Sequence, residues 1–355
     1  MSVLAEREPA LELIDEPSVW YGSELARSDD WIHKLTSGEL AEVAAALAEV
    51  ERRQLPIMNI AQSDFPLPTL GPRLTAMRDV LLDGRGFMLL RGLPVEGYTP
   101  RQAATVFWGL GRWIGTPRSQ NGKGHLLGHV RDLGYDVTDP AVRIYQTTSR
   151  QTFHTDSCDV VALLCLQTAK SGGLSSLVSS MTIHNEMLRR RPDLLALLYE
   201  PFATDRRGEV PPGQKPWFDI PVFNRCEGRI SAIYARQYIN SAQRFPEVPH
   251  LTGPQIEALD MLDDLANDAE LRLDMELRRG DMQFVCNHVI LHDRTAFEDW
   301  PEPERKRHLL RLWLCPPVGR ALPPAYAARY GSTTIGDRGG IVLQGVDPVV
   351  PLDPV

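Results

Sequence analysis

Val160-Val161-Ala162-Leu163-Leu164-Cys165-Leu166-Gln167 is an unbroken apolar run eight residues long. It reads as a strand covered on both faces. Outward from it, Gly172-Gly173 supplies a turn and Leu174 to Ser180 a second strand. Short strands between turns already begin near Arg143. Helical patterns return at about Ile183 to Arg191 and at Asp193 to Tyr199. Thr252-Gly253-Pro254-Gln255 opens one more helix, toward Asn267. Strand texture resumes over Met282 to Leu291 and His308 to Leu314. Strands early, a helical insertion, then strands late predict an α+β chain with a mainly β core, an antiparallel barrel or jelly roll with flanking helices.

The N-terminal third is helical. Thr36 and Glu39 stand at capping-box spacing, followed by Leu40, Val43, Leu47 and Val50 at helical intervals. Thr99-Pro100-Arg101-Gln102 starts another helix, which should run to about Ile114 and stop at Gly115. Gly86 to Arg91 is a short buried strand. Residues 1–17 are acidic and irregular, and are expected as a loose arm. The rest, 18–355, is expected as one domain with an insertion at about 181–278.

Composition narrows the function. The chain has 355 residues, enough for one large core with insertions, and its 43% hydrophobic and 24% charged content is that of a globular protein. The net charge is -8 and no basic cluster is interleaved with aromatics, so neither nucleic acid nor a membrane is expected as a partner. Arg189-Arg190-Arg191 is expected as a solvated helix end. The start carries no basic and then apolar leader, so a cytoplasmic location is expected. Five scattered cysteines, none in a Cys-x-x-Cys pair, argue against a zinc site or a disulfide framework.

Three stretches carry chemistry. His154-Thr155-Asp156 projects an imidazole and a carboxylate to one side of an extended chain. Gly280-Asp281 leads into a strand that ends at His292-Asp293-Arg294. Two histidines and one acid on three corners of an octahedron suit non-haem iron(II), with the other corners open. His288 competes with His292 for the second imidazole, since both fall on one face of a single strand. In Arg307 to Leu314, residues Arg307, Leu309, Arg311 and Trp313 share one side. Two arginines on an apolar strand imply buried anions, either internal acids or a dicarboxylate.

Phe153-His154-Thr155-Asp156, Gly172-Gly173-Leu174-Ser175, the 280–294 segment and the 307–313 strand together resemble the taurine dioxygenase (TauD/TfdA) family of Fe(II)/2-oxoglutarate-dependent dioxygenases, over roughly residues 80–317. The resemblance implies a double-stranded β-helix core, with His154, Asp156 and His292 as iron ligands. Arg307, fifteen positions after His292, would grip the distal carboxylate of 2-oxoglutarate. Ser175 stands where the family places a hydroxyl, usually threonine, on that co-substrate. Arg311 resembles the family's second arginine, which faces substrate or braces the site. An acid at Asp156 speaks against halogenation, since related halogenases use a small residue there. The implied reaction oxidises an unactivated C–H bond of a small organic substrate with dioxygen, releasing succinate and CO2. Hydroxylation, desaturation and ring closure all fit these motifs, and a non-catalytic metal- or ligand-binding barrel is a different-class alternative. Many relatives pair, so the resemblance also allows a homo-oligomer.

Substrate contacts are expected from Tyr145 and Gln146 before the first ligand, and from Trp217, Phe218, Tyr234, Arg236 and Tyr238 in the insertion. An exposed Arg311 would favour a carboxylate-bearing substrate. Asn287 is a candidate to orient the ligand-bearing strand end. His125 and His129, flanked by Gly124 and Gly128, predict an exposed loop or a lid over 119–135. His184 at a helix start is expected at the surface.

Overall fold

The structure is a computed structural model that describes residues 11–136 and 142–354. The apolar run Val160–Gln167 is the middle of a seven-stranded sheet. Met282–Cys286 pairs with it antiparallel on one side and His308–Cys315 on the other. The sheet continues outward from Met282–Cys286 to Phe87–Arg91 and then Ile32–Lys34, the latter two running parallel. The free edge of His308–Cys315 is shared by Leu127–Val130 and Thr116–Arg118. A second, antiparallel sheet has the order Arg272–Met275, Ser175–Ser179, Ile290–Arg294, Gln151–His154. Both sheets contribute inward side chains to one cavity, described below. The fold is thus mixed helix and sheet, with mainly antiparallel strands.

Helix starts follow the local signals. Ser37–Arg52, Pro100–Ile114 and Gly253–Asn267 each begin at a threonine whose hydroxyl caps the third helical amide while that residue's side chain answers on the threonine's own amide. Pro100–Ile114 ends at Gly115 as expected. Helix Leu70–Asp83 had no such signal. Its cap residue Thr69 makes no side-chain cap bond, and Glu42 of the neighbouring helix accepts from the Thr69 and Leu70 amides, both at 3.0 Å. A tertiary contact does there what a sequence box does elsewhere.

Five expectations change. Met282 to Leu291 is not one strand: Met282–Cys286 and Ile290–Arg294 belong to different sheets, and the chain turns between them. His288 sits in that turn, not on a face shared with His292. Its Nε2 meets Asp159 at 2.6 Å, and Arg338 completes a buried cluster on the same carboxylate. His184 is fully buried, with Nε2 at 2.8 Å from the Tyr199 hydroxyl. Part of 119–135 is the strand Leu127–Val130, and His129 is buried against His308, Nδ1 to Nε2, at 2.8 Å. The insertion is not all helical, since it carries hairpins Pro201–Asp205/Trp217–Pro221 and Phe223–Cys226/Arg229–Ala232. Of the expected arm, residues 1–10 lie outside the described residues. Residues 11–17 lie against the body, where Ile14 and the Asn185 side chain exchange two hydrogen bonds of 2.8 and 2.9 Å.

Candidate active site

His154 ends Gln151–His154 and His292 lies in Ile290–Arg294, and the two are direct partners across an antiparallel pair. That register brings their rings to 4.2 Å between centroids. Past His154 the chain leaves the sheet, and Asn287, in the turn before the second strand, receives the Asp156 amide on Oδ1 at 2.9 Å. Asn287 thereby holds the backbone of Asp156, where the sequence suggested a role at the strand end that bears His292. The Nε2 atoms of His154 and His292 each stand 3.8 Å from a different oxygen of Asp156. One donor atom from each residue lies within 4.8 Å of the others, close enough to meet on one ion after small side-chain rotations.

The electrostatics suit a metal. His154 Nδ1 is 2.9 Å from the Thr152 carbonyl, so that nitrogen carries the proton and Nε2 keeps its lone pair inward. Burial pushes His292 down to about 3, with the neighbouring His154 adding to the effect, so its imidazole is neutral at ordinary pH. Burial alone would raise Asp156, but Arg311, His292 and His154 outweigh it and hold the carboxyl below its usual range. Trp313 does more than pack beside the arginines: its Nε1 donates to Asp156 Oδ2 at 2.9 Å. Two imidazoles, that of His292 neutral, and an ionised carboxylate make the two-histidine, one-acid donor set.

Behind the triad, between the sheets, lies a cavity of about 500 Å³ lined by His154, Asp156, Ser175, His292, Arg294, Arg307 and Arg311. The Ser175 hydroxyl donates to Gln283 Oε1 at 3.0 Å in its wall. Arg307 is buried, and its Nη1 has no hydrogen-bond partner. Arg294, which the sequence reading passed over, is buried too, with Nε and Nη1 unpartnered. Burial depresses Arg307 to about 10 and Arg294 to about 9, and the neighbouring Arg307 charge adds to the effect on Arg294. Buried cations with orphaned donors cost several kcal/mol unless an anion meets them. The cavity therefore fits an anionic guest beside the triad.

In front of the triad opens a larger cavity of about 820 Å³. Tyr145, Arg236, Tyr238, Arg311 and Trp313 line it. Gln146 does not: its Oε1 accepts from the Arg143 amide at 3.3 Å within its own short turn. Trp217 packs on Phe245, and the Tyr234 hydroxyl turns to Asp263 at 2.7 Å. Phe218 lies in the buried cluster around Tyr326. Arg311 stands 4.7 Å over the Tyr145 ring and donates to Gln120 at 2.7 Å. The reading missed Gln120, Arg143, Gln151, Glu209 and Arg329 in these walls. Only Gln151, three before His154, stood near a recognised motif.

A model of the taurine catabolism dioxygenase TauD, TfdA family matches residues 51–313. The chain belongs to the TauD/TfdA family. It is 32% identical over 331 residues to FR-33289 synthase of Streptomyces rubellomurinus (strain ATCC 31215), covering 90% of this chain and 97% of that one. It is 31% identical over 323 residues to the taurine hydroxylase-like protein SAT17 of Stachybotrys chartarum, covering 86% and 82%. Among solved structures, asparagine oxygenase in complex with Fe(II), 2S,3S-3-hydroxyasparagine and succinate has the same fold, with a TM-score of 0.63 at 20% identity over 80% of this chain and 93% of that one. This TauD/TfdA protein is accordingly an oxidoreductase of the dioxygenase class. No helix among the described residues is long and apolar enough to cross a membrane.

Proposed function

We propose that His154, Asp156 and His292 hold one Fe(II) ion, and that Arg307, with Ser175 in the same wall, receives the distal carboxylate of 2-oxoglutarate. The observation that carries this is the meeting of two imidazoles and a carboxylate beside a buried guanidinium with a free donor. When bound, iron and 2-oxoglutarate supply dioxygen activation coupled to decarboxylation, which releases succinate and CO2 and oxidises a substrate C–H bond. The chain supplies the rest. Trp313 and Asn287 fix the Asp156 carboxylate and backbone. Thr152 fixes the His154 tautomer. Arg294 adds a second cation to the co-substrate cavity. A small organic anion enters the outer cavity past Tyr145 and Arg311, and is hydroxylated there. The two facing sheets support a double-stranded β-helix in one domain, 18–355, with an insertion. The five free cysteines suit a cytoplasmic location.

The test is an anaerobic titration with Fe(II) and 2-oxoglutarate. A weak visible charge-transfer band should appear only when both are present, and Asp156→Ala should abolish it. A folded wild-type protein that gives no band would end this reading.

A further inference from the structure

The outer cavity is strongly basic. Arg143, Arg207, Arg236, Arg311 and Arg329 line it, against the carboxylates of Asp156 and Glu209 among the described residues. Arg236 is matched outside the cavity by Asp260 at 2.7 Å and Asp263 at 3.0 Å. The balance turns on Arg143, Arg311 and Arg329. Glu209 serves two of them at once, reaching Arg143 Nη2 at 2.8 Å through Oε1 and Arg329 Nη2 at 3.7 Å through Oε2. Glu209 Oε2 is buried and makes no hydrogen bond, so its hold on Arg329 is the weaker one. Arg311 leans on Asp156 at 3.4 Å. On the reading proposed above, on which this inference rests, Asp156 is committed to iron. Among the described lining residues, Arg207 and Arg236 aside, the guanidinium groups of Arg143, Arg311 and Arg329 then face one spare carboxylate, that of Glu209.

Arg329 is itself buried, and its Nε donates to the hydroxyl of Ser157, the residue after Asp156, at 2.8 Å. Arg143 is fixed by the Tyr238 hydroxyl at 2.9 Å. The two cations come from distant segments of the chain, and Arg329 lies beyond the family match. A carboxylate offers two oxygens and one charge, and suits a single guanidinium fork. A phosphoryl group offers three oxygens and up to two charges, so it can bridge guanidinium groups that already crowd one acid.

We propose that the substrate carries a dianionic phosphoryl headgroup, a phosphate monoester or a phosphonate, seated against Arg143 and Arg329 with Glu209 as their shared counter-ion. This replaces the carboxylate expected from sequence. The headgroup lies away from the triad and anchors the molecule while a C–H bond near His154 and His292 is oxidised.

Calorimetry on the anaerobic protein loaded with Fe(II) and 2-oxoglutarate tests this, at a pH where both probes are dianions. Ethyl phosphate and ethylphosphonate should bind at least tenfold more tightly than ethanesulfonate and propionate. The tighter of the two dianions names the source, ester or phosphonate, and equal binding supports the shared headgroup. Arg143→Gln and Arg329→Gln should each weaken dianion binding about tenfold, whereas Glu209→Gln should strengthen it severalfold. Opposite signs within one cluster separate recognition from loss of fold. Propionate or ethanesulfonate binding as tightly as either dianion would overturn the proposal, as would unchanged affinity in both arginine variants. The charge-transfer band is recorded first. If it is absent, the iron reading fails, and the same titrations on the metal-free protein still decide the headgroup.

Discussion

Arg307 has a buried Nη1 with no partner, while its backbone amide is taken by Asp299 at 2.7 Å. The guanidinium lies 5.2 Å from the Phe297 ring, and the nearby Asp299 offsets its burial only in part, since burial still depresses it to about 10. A charge-assisted bond to a carboxylate is worth about 1.5–3 kcal/mol, and lysine keeps the charge but loses the fork. Arg307→Lys should therefore raise the KM for 2-oxoglutarate about tenfold to a hundredfold, with iron content unchanged. Steady-state rates against 2-oxoglutarate, alongside metal analysis, check it, and an unchanged KM would remove Arg307 from the co-substrate site. At this scale the sequence was informative, because two arginines on an apolar strand already demand anions. It was silent on Arg294, whose burial follows from the packing of Phe297 and Ser149 around it.

Elements decide which histidine reaches the triad. By spacing, His288 and His292 were equivalent on one strand. The break at Asn287 sends His292 onto the second sheet opposite His154 and leaves His288 on Asp159. The 172–173 turn works at the same scale. Gly173 has φ +69°, and a Cβ there would stand 3.0 Å from Arg307 Nε. Gly173→Ala should cost about 1–2 kcal/mol in backbone strain and push the anchor aside. A lower melting temperature and a severalfold higher KM for 2-oxoglutarate are expected, with Fe(II) affinity retained. If the KM stays at the wild-type value, the turn does not support the anchor.

At the scale of the whole molecule, two histidines outside the triad, the buried His184 and the half-buried His308, couple stability to pH. Burial depresses His184 to about 4, and burial with His129 and Arg131 depresses His308 to about 3. In the unfolded chain both take a proton near the ordinary 6.5. Between about pH 6.5 and 4 the unfolded state therefore binds more protons than the folded state, so stability is full above that window and falls as the pH drops through it. At 1.36 kcal/mol per unit, His184 contributes on the order of 3 kcal/mol and His308 on the order of 5 kcal/mol at most. Melting temperatures should fall from pH 7.5 to pH 5, and less steeply in His184→Gln. Equal melting at both pH values in the wild type would refute the argument. The C-terminal segment is tied in by similar means. Arg338, 1% exposed, grips Asp159 through Nε, and the Gly340 amide reaches the Ser157 carbonyl at 2.7 Å, beside the metal-binding turn.

From its sequence alone the protein disclosed its capped helices and its central apolar strand, while His154, Asp156 and His292, which the fold brings together, were picked out through the family resemblance. Those signals are local: a box closes over four residues, and strand periodicity over two. The tertiary structure alone decided that His288 is structural, that Glu42 caps a neighbouring helix, and that Arg143, Glu209 and Arg329 meet in one basic cavity. Each of these depends on charges or donors brought together from distant segments. No local spacing encodes that, because the free energy that selects them is desolvation, which exists only once the chain has closed around them.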